Sequence, residues 1–227
     1  MQNHDDALEE MWKALPDTVN ENGNTIVVAD GSGSMMVGVG GTNVTALSVA
    51  NALAIYFAER SSGQFKDTYI TFSERPQLVD FGNCCSLREK IELALRHNEV
   101  ANTNIEAVFD LILTTAVKKK MKQIELPQNI LIVSDMEFDH AVHGRPDTRL
   151  FTEIADRYAQ NGYNLPRLIF WNVNSRTGTI PVIENNLGIA LVSGFSVTIA
   201  NMMLSGELDP YKCLVEQLMS ERYARIC

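Results

Sequence analysis

The chain of 227 residues, 45% hydrophobic and 21% charged, has ordinary globular composition and enough length to bury a sizeable core. Its 19 Lys+Arg against 28 Asp+Glu leave a formal net charge of -9 and a sequence pI near 4.9, which argues against a surface built to grip nucleic acid, because phosphate binding needs clustered basic side chains. Cys84, Cys85, Cys213 and Cys227 show neither CxxC spacing nor a disulfide framework, the first ten residues are acidic rather than signal-like, and no window approaches 18 uninterrupted apolar residues. The expectation is a reduced intracellular chain with no membrane contact.

Apolar Leu8, Met11, Trp12 and Leu15 at helical spacing predict a short lead-in helix over Asp5 to Leu15, closed by Pro16. Thr25 to Ala29 is a continuous β-branched apolar run, the pattern of a strand buried on both faces of a parallel sheet. It ends at the turn residues Asp30 to Gly33, and a helix is expected over Thr42 to Ala58, packed back on the sheet. Asp67 to Phe72 and Gln77 to Phe81 predict a hairpin, hence one antiparallel edge strand. Helices follow over Leu87 to Leu95 and Asn104 to Val117; the second ends in Lys118, Lys119, Lys120 and Lys122, read as a solvated helix terminus. Ile130 to Val133 is a second deeply buried strand ending at Ser134-Asp135. A helix over Pro146 to Tyr158, strands over Arg167 to Trp171 and Gly188 to Val192, and helices over Phe195 to Leu204 and from Asp209 to Tyr223 complete the chain.

This alternation implies an α/β fold: a doubly wound, mostly parallel six-stranded sheet with one antiparallel edge strand. No repeat or flexible linker interrupts it, so residues 1–23 read as an amino-terminal helix and lead-in, and residues 24–227 as one domain with its carboxyl-terminal helices.

In such sheets ligands collect beyond the carboxyl ends of the strands, near the point where strand order reverses. Three loops there offer oxygen: Asp30-Gly31-Ser32-Gly33-Ser34, then Asn102-Thr103-Asn104, then Asp135 with Glu137 and Asp139 following. Asp30, Ser32 and Ser34 alternate, so an extended turn lets their side chains converge while the intervening glycines relieve the backbone. Hydroxyls, carboxylates and water in near-octahedral array suit Mg²⁺, with Mn²⁺ as the next fit. Alone, DxSxS reads as a turn or helix cap; with Thr103 and Asp135 in their strand and helix contexts it reads as a metal site. Glu137 and Asp139 are more ordinary as solvated loop charges, His140 and His143 fall in a surface loop before Gly144 and Pro146, and Trp12, Trp171, Met202 and Met203 fit packing roles.

Together, Asp30-Gly-Ser-Gly-Ser34 after an apolar strand, Thr103 opening a helix and Asp135 ending another apolar strand resemble the metal-ion-dependent adhesion site of von Willebrand factor type A domains. Three elements in order, over Thr25 to about Leu204, make the likeness far more specific than DxSxS. Phe170-Trp171-Asn172 and the run Leu191 to Phe195 are similar to the intracellular branch at the carboxyl end of Ro-like ribonucleoproteins, and to a related uncharacterised family of plant, fungal and large-virus proteins. The resemblance implies that Ser32 and Ser34 bind Mg²⁺ directly, with Mn²⁺ or Ca²⁺ as alternatives. Asp30 and Asp135 then act through water, and Thr103 alternates between the two modes. Asn102, Glu137 and Asp139 would stand behind the ligands, Asn102 also as cap of the following helix. Without a direct carboxylate ligand the cation stays electrophilic enough to accept an Asp or Glu carboxylate from a protein partner. The longer loop Met35 to Gly41 reads as a mobile tip able to cover the site, and both Asp30 and Asp135 read as surface-loop residues.

The resulting expectation is a binding module and not an enzyme. The alternatives are a regulatory or structural domain of a larger Ro-like ribonucleoprotein, meeting RNA only through another domain, and a magnesium-dependent phosphotransfer enzyme with Asp30 as nucleophile. The last lacks the second carboxylate two residues on, where Ser32 stands. A dinucleotide site lacks its third glycine.

Overall fold

The computed structural model describes residues 6–15, 24–98, 104–136, 147–174, 182–184 and 189–194, with residues 211, 212, 215 and 219 beyond them. Its organising element is β1 (Thr25–Asp30), whose six residues are all buried, as its unbroken apolar run requires. Val27 and Ala29 enter the hydrophobic cluster on one face of the sheet, and Ile26 and Val28 the cluster on the other, following the two-residue period of a strand.

Beside β1 lie β2 (Thr68–Phe72) and β4 (Asn129–Ser134), both parallel to it. With β3 (Leu78–Asp80), β5 (Arg167–Asn172), β6 (Val182–Glu184) and β7 (Ala190–Ser193), the order across the sheet is β3-β2-β1-β4-β5-β7-β6. Five strands are parallel and β3 pairs antiparallel with β2, which are the six strands expected within a sheet of seven. The three-residue β6 extends the far edge, antiparallel to β7. The chain leaves β1 toward β2 and later returns to the other side of β1 through β4, so the order reverses between β1 and β4.

Helices α2 (Ala46–Arg60) and α3 (Leu87–Arg96) cover one face, and α4 (Ile105–Lys119) and α5 (Asp147–Gln160) the other. Each of α2, α3 and α4 starts at a side-chain cap: Thr45, Ser86 and Asn104 accept from the amides of Ser48, Glu89 and Ala107. The cap of α4 is thus Asn104, not Asn102. The lysine run is exposed at the end of α4, where Lys120 adopts φ 52° and its amide satisfies the carbonyls of Ala116 and Val117. Helix α1 (Asp6–Lys13) lies against α2 through Trp12, whose indole donates to Glu59 Oε2 at 2.8 Å and meets Tyr56 edge-on. Trp171 is fully buried in the core. No helix among the described residues is long and apolar enough to cross a membrane. The expected helices over residues 195–204 and 209–223 lie outside the described residues, apart from helical Tyr211, Lys212 and Val215.

Candidate metal centre

Parallel pairing sets Ala29 against Val133, so the next residues on each strand, Asp30 and Ser134, end side by side at the carboxyl edge of the sheet, at the point where strand order reverses. Both are fully buried. The Ser134 hydroxyl donates to Asp30 Oδ2 at 2.6 Å and accepts from the Met136 amide at 3.1 Å. The Ser32 amide donates to Asp30 Oδ1 at 2.8 Å. Asp30 is therefore a strand-end carboxylate clamped on both oxygens, and not the surface-loop residue expected; tight pairing of β1 with β4 draws it below the surface.

Above this floor the hydroxyls of Ser32 and Ser34 lie 3.0 Å apart, and the Ser34 hydroxyl donates to Asp135 Oδ1 at 2.9 Å. Asp30, Ser32, Ser34 and Asp135, from two stretches 101 residues apart, thus form one hydrogen-bonded cluster joined at Asp30 through the Ser32 amide, buried at Asp30 and open to solvent at Ser34. Burial pushes the Asp30 carboxyl above its ordinary value, as does the nearby Asp135 charge, while the bonds from Ser134 and Ser32 pull it back. A carboxylate held where its charge is disfavoured gains from a neighbouring cation.

The donor set fits a hard divalent ion. At metal–oxygen distances of about 2.0–2.1 Å, adjacent corners of an octahedron are about 2.9 Å apart. The Ser32 and Ser34 hydroxyls, 3.0 Å apart, are close enough to be neighbouring ligands of one such ion, at a spacing that is also that of an ordinary hydrogen bond. No group of three or more His, Cys, Asp or Glu able to hold a metal occurs among the described residues; the cluster pairs two carboxylates with two serine hydroxyls. Thr103, Asn102, Glu137, Asp139, His140 and His143 lie outside the described residues.

A family described as a domain of unknown function (DUF7788) matches residues 24–222. The chain belongs to this family. An uncharacterised protein of Acanthamoeba polyphaga mimivirus is 30% identical to it over 220 residues, which are 94% of this chain and 37% of that protein. Among solved structures, the Ro (RSR) protein of Deinococcus radiodurans superposes with a TM-score of 0.56 at 18% identity, covering 89% of this chain and 38% of that one. That likeness shows the fold, an α/β mixed sheet with helices on both sides. The chain spans little more than a third of either relative's length.

Two features of the site are not carried by local sequence pattern. In the sequence Ser134 reads only as a strand end; its role follows from the β1–β4 register, and a hydroxyl directly before Asp135 in a buried strand is the available signal. The second is the loop after Ser34. Residues Gly33–Met36 form a 3-10 turn, Val39 and Val44 pair through a 2.8 Å bond, Gly38 bridges Thr45, and the Ala46 amide reaches Val37. Gly40 and Gly41 turn the chain at φ 58° and 72°, and Met35 and Val39 are fully buried. The segment expected as a mobile tip is therefore anchored at two buried side chains, and α2 starts at Ala46 and not at Thr42. A Cβ on Gly38 would stand 2.6 Å from the Thr42 carbonyl oxygen. Gly38→Ala is accordingly expected to open this bridge and lower stability by about 1–3 kcal/mol, measured by urea denaturation.

Proposed function

We propose that this domain is a divalent-cation-dependent binding module that captures a carboxylate of a protein partner. The observation that carries the reading is the convergence of Asp30, Ser32, Ser34 and Asp135 into one hydrogen-bonded cluster at the switch point. Ser32 and Ser34 would hold the ion directly, Asp30 and Asp135 would balance its charge, and Thr103 is proposed to complete the set. Bound there, the cation would supply Lewis acidity toward one further anionic oxygen. The chain's own residues do the rest: Ser134 orients Asp30, and Asp135 orients Ser34.

The module acts as a binder rather than a catalyst on this reading, because the position two residues beyond Asp30 carries Ser32, hydrogen-bonded to Ser34, instead of a second carboxylate. A second reading, a regulatory or structural domain within a larger Ro-like assembly, is favoured by the fold likeness to the Deinococcus protein and by the chain's 38% share of its length. An intracellular setting belongs to both.

The test is calorimetric titration of Mg²⁺ into chelator-treated protein, followed by partner capture with and without chelator. One bound Mg²⁺ and capture that chelator reverses support the reading; absence of Mg²⁺ binding refutes it.

A further inference from the structure

Three large apolar side chains on the loop that follows Ser34 in the chain are exposed: Met36, Val37 and Val44 at 62%, 51% and 44%. Scattered single apolar residues on a surface need no explanation, but these three sit on the two segments joined by the Gly38–Thr45 bridge. The Val37 amide donates to the carbonyl of Ser34 at 3.2 Å, so the apolar stretch starts within one turn of a cluster hydroxyl. Their neighbours Met35 and Val39 are fully buried and anchor the loop. The backbone that bears these side chains is thus held in place, so little backbone ordering entropy opposes covering them.

We infer that Met36, Val37 and Val44 form an apolar rim that selects the partner: a protein segment carrying a single Asp or Glu among apolar side chains, and not an acidic run. This rests on the carboxylate-capture reading above. Charge supplies the second half of the argument. With a net charge of -9, this chain repels a polyanionic segment, and one divalent cation offsets only the two carboxylates of its own site. A lone carboxylate in apolar surroundings meets the cation and the rim together without that repulsion. Covering about 55 Å² of apolar surface is enough for a tenfold gain in affinity.

The test uses the full chain in Mg²⁺ with three fluorescent nine-residue peptides, each with a central Asp, flanked by Leu and Phe, by Ser and Gly, or by Glu. Fluorescence polarisation is expected to rank the apolar-flanked peptide at least tenfold tighter than the other two. The triple variant Met36→Ser, Val37→Ser, Val44→Ser is expected to lose that tenfold preference while calorimetry gives an Mg²⁺ affinity within twofold of the wild type. Equal affinities for the three peptides, or tightest binding of the Glu-flanked one, with Mg²⁺ binding intact, overturn the rim and leave the metal centre standing. Absence of Mg²⁺ binding overturns both.

Discussion

Saturating Mg²⁺ is expected to raise the melting temperature of the wild-type chain by about 5–10 °C and to leave Asp30→Asn and Asp135→Ala unmoved. A ligand bound only by the folded state at a hundred times its dissociation constant stabilises by about 2.7 kcal/mol, and in a chain of this size each kcal/mol shifts the transition by about 2–4 °C. The two variants remove the charges that offset the cation but act on the fold differently. Asp135 is part-exposed, so its truncation to Ala costs little beyond the Ser34 bond. Asp30 is buried with bonds to both oxygens, so Ala would strand the Ser134 and Ser32 donors, whereas Asn keeps the shape and removes the charge. Differential scanning fluorimetry with Mg²⁺ and with chelator measures both terms. A full Mg²⁺ shift retained in both variants would remove the oxygen cluster as the binding site.

How much of this was legible beforehand depends on whether the signal was local. The apolar runs ending at Asp30 and Ser134 have no polar alternation, and only a strand buried on both faces tolerates that, so β1 and β4 stood out. Alternation within Asp30, Ser32 and Ser34 likewise made their convergence visible, because the geometry of one turn brings them together. Sequence pattern places the start of α2 too early because Val44 continues the apolar period of the helix, while the structure uses it to pair with Val39 across the bridge. The Thr45 side chain accepting from Ser48 was the competing signal. Strand β6 is three residues long, too short to show a period, and exists only through its pairing with β7. The burial of Asp30 and its bond from Ser134 join residues 104 apart, a relation that strand register creates and local pattern does not carry.

That same bond yields the second large effect. Ser134→Ala is expected to destabilise the metal-free chain by about 2–3 kcal/mol at neutral pH, and to cost far less in the Asp30→Asn background, where no buried charge depends on the hydroxyl. The sign of the pH dependence follows from Asp30. Its folded-state carboxyl titrates above its ordinary value of 3.8, so the ionised group opposes folding at any pH above the folded value. As pH falls from the folded value toward the ordinary one, the folded state takes up its proton first and that opposition is lost. Removing the Ser134 donor raises the folded value further, so the deficit of Ser134→Ala relative to wild type is largest at neutral pH and shrinks on acidification, by about 1.4 kcal/mol for each unit of added shift. Urea denaturation of the four chains of this cycle in chelator, from neutral to mildly acid pH, measures the coupling. A Ser134→Ala deficit that stays constant with pH and is equal in both backgrounds would mean that the hydroxyl only fills space, and that Asp30 is held in place by Ser32 alone.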